Sequence, residues 1–112
     1  MIRKKVDQVD VLAFSVGATI AWKAMLAGLK VDRFYGVSGT RLRYETEKPD
    51  AVIELLYGES DLYKPKEDWF KQLNIRAYIL KEAGHELYKE SRGIEYVCEQ
   101  LKADVKPLTN KK

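Results

Sequence analysis

The chain of 112 residues contains one cysteine, Cys98, and one histidine, His85. A single thiol rules out an internal disulfide, so a hydrophobic core has to hold the fold, and a reducing cytoplasm is the expected compartment. One histidine among scattered carboxylates argues against a dedicated metal site. The pair His85-Glu86 lacks the second histidine of a zinc-binding helix, and no cofactor is called for. No segment approaches the roughly 18 apolar residues of a membrane span. The basic start, Met1 to Lys5, meets Asp7 and Asp10 before an apolar signal core can develop, so neither membrane insertion nor export is expected. Gly36, Gly39, Gly58 and Gly84 make neither a G-x-G-x-x-G pattern nor a P-loop, which leaves nucleotide binding without a motif. Charge of one sign is also lacking. Twenty Lys and Arg face seventeen Asp and Glu for a net +3. Only Arg3-Lys4-Lys5 and Lys111-Lys112 cluster, too little for a nucleic-acid surface.

What is present fits one compact domain over 1–103 with a polar tail over 104–112. Hydrophobic residues make up 46% of the chain, enough to bury a core at this length. Four segments rich in β-branched and aromatic residues, 9–14, 31–37, 51–57 and 75–80, read as strands. The Ala-rich stretch over 16–27 reads as a helix closed by Gly28, and it is apolar almost all round, so it wants cover on more than one side. Pro65 suits a first helical position ahead of Trp69, Phe70 and Leu73, with Asn74 ending that helix. Ile94, Val97, Cys98 and Leu101 follow helical spacing after Ser91 as N-cap, which predicts a last helix with Cys98 in its buried stripe. Trp22, Trp69 and Phe70 read as core. The link over 38–50 is polar and leaves its structure open. Strands alternating with helices imply an α/β architecture, a small parallel sheet of about four strands with flanking helices.

The chemically informative residues stand where three of those strands end, the edge at which open parallel sheets bind ligands. The first strand runs through Ala13-Phe14-Ser15-Val16-Gly17 straight into the apolar helix, the third ends in Gly58-Glu59-Ser60-Asp61, and the fourth leads to Ala83-Gly84-His85. A serine hydroxyl is a poor nucleophile unless an imidazole takes its proton, and a carboxylate fixes that imidazole's tautomer and stabilises its charge. Taken singly, Ser15 reads as a turn residue, Asp61 as a cap for the helix near Pro65, and His85 as a surface loop residue. Together they stand in the order Ser, Asp, His.

That order and the Ser15 turn resemble the α/β-hydrolase family, whose nucleophile elbow holds a serine hydroxyl clear of the sheet between small neighbours. Ala13 stands where glycine is commoner, and Gly17 fits the crowding expected two residues after the serine. The resemblance implies a truncated three-layer α/β-hydrolase-like fold. It casts Ser15 as nucleophile, His85 as general base and acid, Asp61 as its orienter, and the Val16 N–H as an oxyanion donor. The implied activity is hydrolysis of a small acyl ester or thioester. Ser38-Gly39-Thr40 borders the same edge, with Ser38 a candidate pocket residue. Arg41 and Arg43 read first as a solvated loop and alternatively as contacts for an anionic substrate group.

The resemblance covers only the part of the family fold from the elbow strand onward. Nothing before Val9 matches the strands that flank the elbow or the loop that gives the second oxyanion donor, and lacking one donor lowers rates by on the order of a hundredfold to a thousandfold. The elbow strand is then an open edge, which predicts a homodimer through that edge or the apolar helix. The competing reading is a catalytically inactive half-domain that uses the same edge for self-association or protein binding.

Overall fold

The computed structural model describes residues 9–104. Arg3, Lys4, Lys5, Lys111, Lys112 and all of the expected tail except Asp104 lie outside them. The elements run β1 (Asp10–Phe14), α1 (Val16–Leu26), β2 (Arg33–Val37), β3 (Val52–Gly58), α2 (Glu67–Gln72), β4 (Arg76–Leu80) and α3 (Ser91–Asp104). Single 3₁₀ turns at Leu42–Tyr44 and Leu87–Lys89 lie in the connections. The strands form one parallel sheet in the order β1-β2-β3-β4, with Ala13 opposite Gly36, Gly36 opposite Leu55, and Leu55 opposite Ala77.

Two apolar layers enclose the sheet, because successive strand residues face opposite sides. On one side Ala18, Trp22 and Met25 of α1 pack with Phe34, Leu55 and Tyr57, and Trp69 and Phe70 of α2, with Leu73 just after it, join them. On the other, Val37 and Leu56 meet Ala83 and Leu87, with Tyr96 and Val97 of α3 against them. β3 carries apolar residues on both faces, Leu55 and Tyr57 on one and Leu56 on the other, as a strand covered twice must. The result is three layers: α1 with α2, the sheet, and α3.

Both shorter helices end as their sequences dictate. After α1 the Gly28 N–H donates to Met25 O at 3.1 Å and the Leu29 N–H to Ala24 O at 3.0 Å, with Gly28 at φ +122°. Asn74, at φ +55°, closes α2 by the same double bond pattern, its N–H donating to Lys71 O and that of Ile75 to Phe70 O. Three details differ from expectation. Pro65 is buried ahead of α2, which begins only at Glu67 because Lys66 is extended. Ser91 is the first residue of α3 rather than its cap. Cys98 and Ile94 are exposed: they share a helical side with Val97, but that side faces the open flank of β1 rather than a closed core.

The second cover that α1 calls for is not found among the described residues, where Val16 is 56% and Ile20 63% exposed. The opposite side of that helix is densely packed. Trp22, fully buried, meets Phe34 edge-on at 6.4 Å and Trp69 at 5.9 Å, yet its indole N–H finds no acceptor among the described residues. Trp22→Phe is therefore expected to lie within about 1 kcal/mol of the parent, since the lost volume is offset by removing an unpartnered donor. Trp22→Ala is expected to cost about 3–5 kcal/mol. Urea unfolding of the two variants checks the contrast.

Candidate active site

Ser15 occupies the one residue between β1 and α1, and the chain turns there sharply. Its backbone lies at φ +52°, ψ −125°, a region that costs a non-glycine residue on the order of 1–3 kcal/mol. Its N–H is tied to Val37 O at 2.8 Å, which keeps the corner on the ladder with β2. The turn leaves the Val16 N–H as the first of α1, without an intrahelical acceptor and at the positive end of the helix. The crowding expected at Gly17 is not there. A Cβ at that position meets no atom within 4 Å, Ala13 included.

Ser15, His85 and Asp61 form one hydrogen-bonded chain. The His85 Nε2 lies 3.0 Å from Ser15 Oγ, and its Nδ1 lies 3.1 Å from Asp61 Oδ2. An ionised carboxylate only accepts, so Nδ1–H donates to Asp61 and Nε2 is left to accept from the serine hydroxyl. Asp61 has a fully buried side chain while the imidazole is 24% exposed, so the imidazole faces solvent and the carboxylate does not. Asp61 is held further by its Oδ1, which accepts the Tyr63 N–H at 2.8 Å. This turn at the end of β3 replaces the helix-capping role that Asp61 alone suggested.

The loop carrying His85 is fastened to the end of β3. Ser60 donates both its N–H and its hydroxyl to Ala83 O, each at 3.0 Å, and the Glu59 N–H reaches Leu80 O at 2.9 Å. The approach is so close that a Cβ on Gly58 falls against the carbonyl oxygens of Ala83 and Gly84, well inside contact distance. Tyr63 packs edge-on against the imidazole with ring centres 5.0 Å apart, and Tyr88 does so at 6.2 Å. None of Gly58, Tyr63 and Tyr88 was marked by sequence pattern, because each acts through where the backbone brings it.

Ser38 is placed differently from expectation. It lies beside this edge at φ +56° but is fully buried, its N–H donates to Leu56 O at 2.8 Å, and its hydroxyl has no partner among the described residues. Its full burial sets it away from a pocket-lining place. Nearby, the buried Tyr57 hydroxyl donates to Gly39 O at 2.9 Å. Burial first, and the Asp61 charge second, push its pKa up, against a smaller pull downward from Arg43. A groove of about 720 Å³ along α2 and β4, lined by Lys64, Phe70, Asn74 and Ile79, contains none of Ser15, Asp61 and His85. Among the described residues no group of three or more metal-ligating side chains comes together, and no helix is long and apolar enough to cross a membrane.

The tight approach at Gly58 is open to direct test. Gly58→Ala is expected to cost about 1–3 kcal/mol and to move the imidazole away from Ser15. Thermal unfolding reads the first effect, and the NMR signal of the chain's single histidine reads the second.

No family model and no curated protein matches the sequence. Solved structures do. A predicted CIB-like hydrolase from Thermoplasma acidophilum superposes with a TM-score of 0.68 at 19% identity over 86% of this chain and 50% of that one. An alpha-beta serine hydrolase homologue from Coxiella burnetii gives 0.66 at 23% identity, over 88% of this chain and 50% of that one. A yden-like hydrolase from Pectobacterium atrosepticum gives 0.70 at 15% identity, over 87% and 59%. This chain spans about half the length of the first two. Four parallel strands between helical layers, matched over nearly the whole of this chain, are a partial α/β-hydrolase fold.

Proposed function

We propose that this protein is a serine esterase or thioesterase for small acyl groups, with Ser15, His85 and Asp61 as its catalytic triad. The observation that carries the reading is the hydrogen-bonded chain of 3.0 and 3.1 Å joining three strand ends, with the serine in a strained turn. The hydrolase-like structures support it at the level of fold.

In this mechanism Ser15 Oγ attacks the acyl carbon as its proton passes to His85 Nε2, and Asp61 stabilises the resulting imidazolium. The Val16 N–H, at the head of α1, donates to the oxyanion of the tetrahedral intermediate. Collapse of that intermediate breaks the ester or thioester bond, and the departing alkoxide or thiolate takes the proton from Nε2. Water, deprotonated by the same nitrogen, then attacks the acyl-serine and releases the acid. The chemistry uses no metal or cofactor. A half-exposed elbow beside an exposed Phe14 favours short acyl chains over long ones. The lone Cys98, free and exposed, fits a reducing cytoplasm as the setting.

A specific observation favours a second reading, a self-associating half-domain. In the parallel ladder the odd-numbered residues of β1 direct their backbone groups to β2, as the bonds from Asp32 N to Val9 O and from Ser15 N to Val37 O show. Leu12 and Phe14 therefore turn theirs to the open edge, beside an apolar groove formed with Tyr88, Ile94, Val97 and Leu101. A second copy paired antiparallel about Leu12 would use both features and give a symmetric dimer.

Labelling by a fluorophosphonate probe tests the enzymatic reading. Labelling is expected in the parent protein, none in Ser15→Ala, and a rate lower by on the order of 10³–10⁴ in His85→Ala and Asp61→Asn. A folded parent that does not label leaves the half-domain reading. For association, sedimentation equilibrium at micromolar concentration is expected to show a dimer, and Leu12→Lys a monomer. A monomeric parent across that range counts against self-association.

A further inference from the structure

The link between β2 and β3 carries two arginines, and one of them, Arg43, stands one ring away from the imidazole. Arg43 stacks its guanidinium on Tyr44 at 4.5 Å from the ring centre and on Tyr63 at 5.3 Å, and Tyr63 in turn packs on His85 at 5.0 Å. One aromatic ring therefore separates this cation from the candidate base. Arg41 stacks on the same Tyr44 at 5.6 Å, so two like charges share one exposed ring. The loop is built to hold them there: the Arg41 N–H donates to Thr19 Oγ1 at 3.1 Å, and Arg43 donates to Thr40 O at 2.6 Å and to Tyr44 Oη at 2.9 Å.

Three other cations among the described residues have carboxylate partners. Lys23 meets Glu45 at 2.9 Å, Lys89 meets Glu86 at 3.7 Å, and Arg76 meets Glu54 at 3.9 Å. Neither Arg41 nor Arg43 has a carboxylate within pairing distance among the described residues. Glu45, the acid nearest in sequence, is engaged with Lys23 instead. Two adjacent guanidiniums repel each other unless an anion lies between them. Arg43 also keeps part of its fork unused, since two of its five N–H donors are engaged, and a guanidinium fork matches a carboxylate bidentately. Arg43 is half-buried, tied to Thr40 O and stacked on Tyr63, which keeps it beside the strand ends rather than out in solvent.

The geometry points to Arg43, assisted by Arg41, as a recognition site for a carboxylate on the substrate, so that the preferred ester or thioester carries a free carboxylate a few bonds from the reacting carbonyl. This rests on the hydrolase reading of Ser15 for its catalytic part. The binding part stands separately, because a dicarboxylate can occupy the site without being turned over.

Two measurements separate these parts. The first compares kcat/KM for 4-nitrophenyl hemisuccinate with that for its uncharged methyl ester. The charged ester is expected to be preferred, with the ratio falling about tenfold to a hundredfold in Arg43→Gln, less in Arg41→Gln, and recovering partly in Arg43→Lys, which keeps the charge and loses the fork. A loop displaced for structural reasons would slow both esters and leave their ratio alone. The second follows the imidazole NMR signal of His85 on addition of succinate, with succinamide as the uncharged control. Succinate alone is expected to shift it, and the shift to disappear in Arg43→Gln. Ester hydrolysis with no charge preference, or a preference that survives both glutamine variants, overturns the inference and leaves the hydrolase reading in place. An Arg43-dependent succinate shift with no hydrolysis of either ester upholds the carboxylate site and overturns the hydrolase reading. Absence of both the shift and the hydrolysis overturns both.

Discussion

The parallel ladder is the constraint on which the rest depends. Because all four strands point the same way, the ends of β1, β3 and β4 lie along one edge, and residues far apart in sequence arrive there without any long loop having to reach. Register then does the fine placement. The bond from Ser15 N to Val37 O ends β1 at the residue where α1 must begin, and the bond from Glu59 N to Leu80 O brings the end of β3 level with the end of β4. A shift of one residue in either ladder would turn the alternate side chains to the opposite face. It would also separate the hydroxyl, imidazole and carboxylate that now lie within hydrogen-bond reach.

Much of this was legible in the chain because the signals were local and repeated. β-branched and aromatic runs marked all four strands, each overextended at its start, and at two of them the reason is visible. Val31 and Ile75 are buried core residues that precede their ladders, so hydrophobicity begins before strand pairing does. Gly28 and Asn74 closed their helices because a left-handed residue is required there. Pro65 misled by two residues, since it serves packing rather than helix initiation. In α3 periodicity identified the helix and not its environment: spacing states which residues share a side, but not what covers that side, and Cys98 ended exposed.

The candidate site divides in the same way. Ser15, Asp61 and His85 could be singled out because each is a residue type that proton-relay chemistry uses, set at a strand end, and the fold brings the three within hydrogen-bond reach. Gly58 was not, because its importance lies in a carbonyl pressed against its Cα by a loop that begins after β4. Tyr63 was not, because stacking against an imidazole follows from a turn that the Asp61 carboxylate itself builds. Ser38 ended buried because a residue at a strand end can turn inward as easily as outward, and residue type alone does not say which.

The strand order has a consequence for how the molecule opens. Ser15 is carried at one margin of the sheet and His85 at the other, since β1 and β4 are its outer members among the described residues. β4 has a neighbour on one side only, and its Ile79 is 43% exposed. Outer strands fray at lower free energy than inner ones. Loosening of β4 would withdraw His85, and loosening of β1 would withdraw Ser15, while β2 and β3 stay paired in either case. The contact between imidazole and hydroxyl thus reports whether the sheet is closed across its whole width, and it is lost in partial openings that leave most of the core in place.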